Sequence, residues 1–323
     1  MHFSATVASL FASTVVAITT PPSGALVVGP SGKYKTLQSA VTAASNGATI
    51  FIEPGTYKEQ VFIPEKKSNL KIIGSSSQDT TFTGNKVTIT GALAQDSSGK
   101  SNNDGTATLR AWGDGLKVYN VNFANTRGEG SQALALSAYG NQLGFYGCQF
   151  TGFQDTVMSH KGHHFIGNSL IVGGTDFIFG KSGVLWIEKS VLHCVKADTG
   201  YVTANGREDA ANPSFYVINN STIDGPSAAG TFFLGRPWRP FSRVGVQNSQ
   251  LGAVINSAGW SVWQKADTRT DKVTYLEYNN RGPGAAGTRA TFAKKGGSAI
   301  PIGTLFPSTS WIDSAYLPKQ HSS

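Results

Sequence analysis

Two aspartates, Asp155 and Asp176, each lie in a stretch of sequence that otherwise reads as buried. Asp155 lies in GFQDTV (residues 152–157), and Asp176 lies 21 residues later in GTDFIFG (residues 174–180). Burying a carboxylate without a partner is costly, so each of these acids needs a compensating role. Two carboxylates held close together cannot ionise independently, because one keeps its proton while the other stays charged. Such a pair suits a reaction in which one acid donates a proton while the other attacks or accepts one.

Two glutamines accompany the acids. Gln132 and Gln154 are 22 residues apart, close to the spacing of the aspartates. Amide NH₂ groups beside a reacting carbonyl could stabilise an oxyanion. The same residues could instead form a hydrogen-bonded polar stack, or a pair of acids sharing a proton, that holds neighbouring segments together. The residues alone leave both interpretations open.

A loose repeat in the sequence predicts where these side chains lie relative to one another. Short strand-like segments rich in β-branched and aromatic residues recur, and each ends in a small polar pair followed by an apolar residue. These apolar anchors are separated by 27, 21, 21, 31 and 28 residues and are Phe123, Phe150, Ile171, Leu192, Ile223 and Leu251. A period in the twenties predicts a parallel β-solenoid. An antiparallel sandwich is disfavoured because tight Asn-Gly hairpin turns are scarce.

The solenoid predicts where the two acids meet. Asp155 and Asp176 each lie five residues after an anchor, Phe150 and Ile171 respectively. Equivalent positions in successive coils lie about 4.8 Å apart. We therefore expect the two carboxylates to be neighbours on one face of the solenoid. Near the start of the chain, the spacing of Leu37, Ala40, Val41 and Ala44 predicts a short amphipathic helix that caps the open end.

Composition restricts the class of protein. Charged residues make up 14% of the 323 residues, there are 38 glycines, and the formal net charge is +8. This composition favours an extracellular all-β protein. Dense Lys/Arg runs are absent, which argues against nucleic acid, whereas a dispersed positive field would attract an acidic polysaccharide.

Residues 1–17 are predicted to be a signal peptide ending in Val15-Val16-Ala17. We expect residues 18–323 to form a single secreted domain without a membrane anchor. The repeat places Cys148 and Cys194 out of register, which favours two free thiols over a disulfide. His160, His163 and His164 lack the spacing of a zinc site, so no metal is expected.

Several ordered motifs resemble the pectin methylesterases (pectinesterases), secreted enzymes with a right-handed parallel β-helix. The matching segments follow the family's order and are GTYKE (55–59), QALAL (132–136), QDT (154–156), DFIFG (176–180) and LGRPW (234–238). The resemblance covers about residues 25–310. It implies an all-β, single-stranded right-handed parallel β-helix that hydrolyses the methyl esters of pectin.

The resemblance also implies roles for individual residues. Asp176 corresponds to the nucleophile that attacks the ester carbonyl, and Asp155 to the general acid/base. Gln132 and Gln154 correspond to the oxyanion-stabilising glutamines, and Arg236 to the arginine that holds the nucleophile. A guanidinium beside Asp176 is expected to keep it ionised. No cofactor is implied.

Aromatic residues are candidates for stacking on sugar rings. The resemblance assigns Trp238 to the sugar site, and Tyr139, Phe153, Tyr201 and Trp263 are candidates that could equally fill the coils. We expect a monomer whose partner is methyl-esterified homogalacturonan. The alternatives are an acyl-thioester hydrolase or a non-catalytic pectin-binding protein on the same fold. A β-helix glycosidase is disfavoured because an inverting pair of carboxylates must be about 6.5–9.5 Å apart.

Overall fold

The structure is a computed structural model that describes residues 16–97 and 102–318. The predicted signal peptide lies outside these residues except for Val16 and Ala17. The strands of the described residues pair in parallel and form three long sheets. Each complete coil contributes one strand to each sheet in turn, so the chain winds into the predicted parallel β-helix.

The sheets are numbered in the order in which a coil passes through them. The strands of sheet 1 are Leu26–Val28, Thr49–Ile52, Lys71–Gly74, Lys117–Tyr119, Leu143–Tyr146, Lys161–Gly167, Ser182–Glu188, Phe215–Asn219, Arg243–Gln247, Thr274–Tyr278 and Ala293–Lys295. The strands of sheet 2 are Gly55–Lys58, Val87–Gly91, Asn122–Asn125, Gln149–Thr151, Leu170–Gly173, Val191–Cys194, Thr222–Asp224 and Gln250–Leu251. The strands of sheet 3 are Val61–Ile63, Leu109–Ala111, Leu136–Ala138, Val157–Ser159, Ile178–Gly180, Gly200–Asn205 and Phe232–Gly235.

The predicted anchors define the interior of sheet 2. Each anchor pairs directly with the next one along the axis, from Phe123 through to Leu251. All of them are fully buried, because alternate residues of each strand point into the coil. The irregular spacing of the anchors reflects loops of different length at the corners, which leave the register of the strands unchanged.

The predicted capping helix spans Leu37–Ala43. The hydroxyl of Thr36 caps it by accepting a hydrogen bond from the backbone N–H of Ser39 at 3.1 Å. Leu37, Ala40 and Val41 are buried on one face, against the first strands of sheets 1 and 3. The helix thus covers the end of the interior, as its periodicity predicts.

The region after residue 280 packs along the solenoid and adds one more strand, Ala293–Lys295, to sheet 1. The last described residues cover the outer face of sheet 1, where Phe306 and Tyr316 join a buried cluster with Trp186. Short 3-10 helices occur at Phe82–Gly84, Asp104–Thr106, Pro283–Ala285, Ile302–Thr304 and Ser314–Tyr316.

Cys148 and Cys194 are buried and their thiols are free, which confirms that prediction. No helix among residues 16–97 and 102–318 combines the length and apolar character needed to span a membrane.

Candidate active site

The corner between sheets 2 and 3 brings Asp155 and Asp176 together in successive coils. Gln154 pairs with Thr175 in a parallel bridge, and the N–H of Asp155 donates to the carbonyl of Thr175 at 3.0 Å. Asp155 is therefore the neighbour of Asp176 along the helix axis. Both aspartates have left-handed backbone angles, with φ of 63° and 48°. Aspartate is among the few residues that tolerate this region, which allows each coil to turn sharply while presenting a carboxylate.

Both acids line a cavity of about 340 Å³ on the outside of this corner. Asp155 is 7% exposed and Asp176 is 6% exposed. The cavity is lined by Gln95, Asn103, Gln132, Gln154, Asp155, Asp176, Phe179, Ala204, Arg236, Trp238 and Trp263. All five residues predicted to take part in the chemistry thus surround one space, together with two of the predicted aromatic residues.

The two carboxylates have different partners. Arg236 binds Asp176 through two hydrogen bonds, from Nε to Oδ1 at 2.9 Å and from Nη2 to Oδ2 at 2.7 Å. This bidentate, charge-assisted geometry is the strong form of an arginine–carboxylate pair. Asp155 accepts a hydrogen bond only from the neutral amide of Asn103, at 3.3 Å, among the described residues. The site therefore stabilises negative charge on Asp176 far more than on Asp155.

Burial and charge together separate the two acids. Burial raises the pKa of Asp155 well above its ordinary range, and the negative charge of Asp176 raises it further. Burial also raises the pKa of Asp176, but the hydrogen bonds and charge of Arg236 oppose that rise. The sequence-based prediction that Arg236 favours ionisation of Asp176 has the correct direction but omits the opposing effect of burial. Of the pair, Asp155 is the one that holds a proton more readily.

Two of the predicted aromatic residues contact Arg236. Its guanidinium carbon lies 3.9 Å from the ring centroid of Tyr201 and 4.5 Å from that of Trp263. Contacts of this kind stabilise a cation and restrict the plane of the guanidinium. Trp263 also lines the cavity, whereas Tyr201 is not part of the cavity wall. The side chain of Tyr201 is therefore placed to position Arg236.

The remaining aromatic candidates differ in their surroundings. Trp238 lines the cavity and meets the ring of Phe179 edge-on, with the ring centroids 6.0 Å apart. Tyr139 and Phe153 are not part of the cavity wall. Tyr139 is stacked between the rings of Trp112 and His160, and Phe153 packs over Gly174, where even a Cβ atom would lie 2.9 Å from its ring. Stacking of Tyr139 and Phe153 on sugar rings therefore stays a prediction.

Sequence reasoning missed Gln95 and Asn103, which enter the cavity from the long connection between Val87–Gly91 and Leu109–Ala111. Nε2 of Gln95 donates a hydrogen bond to the side-chain Oδ1 of Asn103, and Nδ2 of Asn103 donates one to Oδ2 of Asp155. This connection is rich in Asn, Ser and Gly and resembles an ordinary loop, so the repeat gives no signal for either residue.

A second arginine, Arg269, contacts the residues that line the cavity. Its Nε donates to Oδ2 of Asp267 at 2.7 Å, and its Nη1 donates to the backbone carbonyl of Trp238. Its guanidinium carbon lies 5.0 Å from the ring centroid of Trp263. Arg269 thus connects the two tryptophans of the cavity.

No group of three or more His, Cys, Asp or Glu side chains that could hold a metal ion occurs in the described parts of the chain.

The fold and site agree with a known family. The family model described as Pectinesterase matches residues 26–295. A pectinesterase from Aspergillus aculeatus is 43% identical over 95% of this chain and 97% of its own length, and one from Aspergillus niger is 41% identical over the same shares.

Solved structures agree with the sequence relatives. The pectin methylesterase from Aspergillus niger matches with a TM-score of 0.86 and 36% identity, covering 93% of this chain and 100% of that one. The pectin methylesterase from carrot matches with a TM-score of 0.79 and 30% identity, covering 97% and 98%. The chain therefore belongs to the pectinesterase family and is a carboxylic ester hydrolase.

Proposed function

We propose that this enzyme hydrolyses the methyl esters of pectin through a covalent intermediate on Asp176, with Asp155 as the general acid and base. The observation that carries the proposal is the asymmetry of the pair. One buried carboxylate is held by a bidentate arginine, and its neighbour has no cation of its own among the described residues. A nucleophile must be ionised and a general acid must be protonated, and the two environments favour that division.

In the first half of the reaction, an Asp176 oxygen attacks the carbonyl carbon of the ester. The negative charge passes to the carbonyl oxygen, where the side-chain amides of Gln132 and Gln154 donate hydrogen bonds to it. The bond to the methoxyl oxygen then breaks, and Asp155 transfers its proton to that oxygen, which releases methanol. The product is a mixed anhydride between Asp176 and the galacturonyl group.

In the second half, the ionised Asp155 accepts a proton from a water molecule, which attacks the galacturonyl carbonyl of the anhydride. The anhydride bond breaks, Asp176 regains its charge beside Arg236, and the galacturonic acid is released. Asp155 ends the cycle protonated, as it began. The net change is the conversion of one ester and one water into one acid and one methanol, with the chain's own side chains providing all the groups used.

The test is methanol release from highly methylated pectin by the wild type and by Asp176→Asn. Asparagine tolerates the left-handed backbone of residue 176 but is a poor nucleophile. We expect the rate to fall by at least about 10⁴-fold, as for the loss of other covalent nucleophiles. A matched control is Asp198→Asn, which changes an exposed aspartate in the corresponding turn of the next coil and should keep the wild-type rate.

Full activity of Asp176→Asn would refute the assignment of the nucleophile. Wild-type protein that binds pectin but releases no methanol would point to the non-catalytic alternative. Hydrolysis of an acyl thioester with no action on pectin would point to the thioesterase alternative.

We further propose that residues 1–17 are removed on secretion and that residues 18–323 form a single domain. This domain would act outside the cell as a monomer, and its partner would be pectin and not nucleic acid. The dispersed charge of +8 supports an acidic polysaccharide as the partner. The N-terminal sequence of the secreted protein and its mass by light scattering would test these proposals.

A further inference from the structure

A strip of four side chains runs along the corner between sheets 3 and 1, beside the cavity. Trp112, Tyr139, His160 and Lys181 each follow a strand of sheet 3 in successive coils. The first three form a stack, with ring centroids 4.8 Å apart between Trp112 and Tyr139 and 4.4 Å apart between Tyr139 and His160. The fourth side chain, Lys181, is a cation instead of a ring, and it lies next to the cavity.

Lys181 lies beside Trp238, one of the two tryptophans that line the cavity. Its Nζ lies 5.4 Å from the ring centroid of Trp238, and the residue is half-buried. Burial lowers the pKa of the adjacent His160, and the positive charge of Lys181 lowers it further against the opposing effect of Asp104, which disfavours a second positive charge in the strip. The strip therefore carries its single positive charge at the end that meets the cavity.

Lys181 differs from the arginines around it because it has no carboxylate partner within the described residues. The three arginines that lie over Trp238 or Trp263 each have one, and the pairs are Arg236 with Asp176, Arg239 with Glu208 and Arg269 with Asp267. An ammonium without a carboxylate partner can form a charge-assisted hydrogen bond with an arriving carboxylate, which makes a carboxylate a favourable ligand for Lys181.

We propose that Lys181 and Trp238 form a subsite for a galacturonate unit whose carboxylate is free, next to the unit whose ester is cleaved. The inference rests on the proposed function. The substrate is a polymer in which each unit carries either a neutral ester or an anionic carboxylate, and a cation distinguishes the two. A sugar ring that packs on Trp238 would bring its carboxylate to Lys181. The enzyme would therefore prefer esters beside units that are already hydrolysed. Runs of units with free carboxylates would then lengthen along the polymer.

The experiment compares kcat/KM per ester group on fully methylated and on randomly, partly de-esterified oligogalacturonates. The variants are Lys181→Met, which keeps the length but removes the charge, and Lys181→Arg, which keeps the charge. Lys294→Met, an exposed lysine on the last strand of sheet 1, is the matched control. We expect the wild type, Lys181→Arg and Lys294→Met to prefer the partly de-esterified substrate, and Lys181→Met to lose about three- to tenfold on that substrate alone.

Two further measurements separate charge recognition from a general defect. Added salt should weaken the preference in the wild type and have little effect on Lys181→Met, because salt screens an ion pair that remains accessible to solvent. Unesterified oligogalacturonate should inhibit the wild type more strongly than Lys181→Met, again by about three- to tenfold.

Several results would overturn the subsite. They are an unchanged substrate ratio in Lys181→Met, an equal loss on both substrates, and a wild type without any preference. A wild type that hydrolyses neither substrate would overturn the proposed function instead, together with the subsite that rests on it.

Discussion

The corner between sheets 1 and 2 and the corner between sheets 2 and 3 use the same backbone conformation with different side chains. At the first corner, each coil from the strand Lys117–Tyr119 onward turns through a residue with positive φ, and these residues are Asn120, Gly147, Asn168, Lys189, Asn220, Asn248 and Asn279. At the second corner, Asp155 and Asp176 take up the same conformation. The geometry that stacks side chains one coil above another is thus common to both corners.

The difference lies in whether the stacked groups complement each other. In the corner between sheets 1 and 2, the hydroxyl of Ser190 accepts from the N–H of Ser169 at 3.0 Å, and the hydroxyl of Ser221 accepts from the N–H of Ser190 at 3.1 Å. Each donor meets an acceptor, so this stack holds the coils together. Asp155 and Asp176 are instead two acids whose pKa values burial raises. Two buried acids that disfavour each other's ionisation do not stabilise the fold as the serine stack does. This difference favours a chemical role for Asp155 and Asp176.

Among the changes that compare the two corners, Asp155→Asn is expected to have the largest effect. It tests whether Asp155 destabilises the fold and is necessary for turnover. We expect methanol release to fall by about 10²–10⁴-fold, because the general acid is lost. We also expect the free energy of unfolding at pH 7 to rise, because a buried carboxyl that resists ionisation is replaced by an amide that tolerates the same φ. Urea unfolding and the methanol assay measure the two effects.

The pH dependence of stability follows from the direction of the shift. The pKa of Asp155 is raised on folding, so the folded state binds more protons than the unfolded state at pH values above about 3.9. The stability of the wild type therefore falls as pH rises through the window between the unfolded and folded pKa values. Asp155→Asn should reduce this slope without abolishing it, because the pKa of Asp176 is raised as well. A variant that is less stable than the wild type at pH 7 would contradict this account.

The contrast between the corners also shows what the sequence could predict. The spacing of the anchors determines the register, and the register alone predicts that Asp155 and Asp176 are neighbours. Residues whose position follows from the repeat were therefore found from the sequence. Gln95 and Asn103 were missed because they reach Asp155 from a long connection that follows no repeat.

The partners of the aromatic side chains could not be predicted either. Which groups a ring contacts depends on the loops that fold over the sheet. Tyr139 is enclosed by its neighbours in adjacent coils, and Tyr201 contacts Arg236. Burial in a coil and exposure to a ligand give the same sequence pattern for such residues.

A smaller effect is expected at the structural corner. Ser190→Ala removes the acceptor for the N–H of Ser169, a buried group, and should lower the free energy of unfolding by about 1–3 kcal/mol. The rate of methanol release should stay at the wild-type value, because the corner between sheets 1 and 2 does not contact the cavity. Ser190→Cys is the matched variant, since Cys148 occupies the equivalent position two coils earlier, and it should be destabilised less. A fall in kcat of Ser190→Ala without a change in its urea unfolding would contradict the conclusion that this corner has only a structural role.

The smallest expected effect concerns Arg269, which acts on the acid pair only through Trp263 and Arg236. Arg269→Met should leave Trp263 less constrained, so that Arg236 opposes the raised pKa of Asp176 less strongly. Because Asp176 must be ionised to attack, the acidic limb of the kcat/KM profile should move to higher pH, with a loss of about two- to tenfold in rate at its optimum. Arg236→Ala should move the limb in the same direction and further. Arg281→Met, which alters an exposed arginine, is the control. A uniform loss of rate without movement of the limb would mean that Arg269 stabilises the loop without influencing the charge of Asp176.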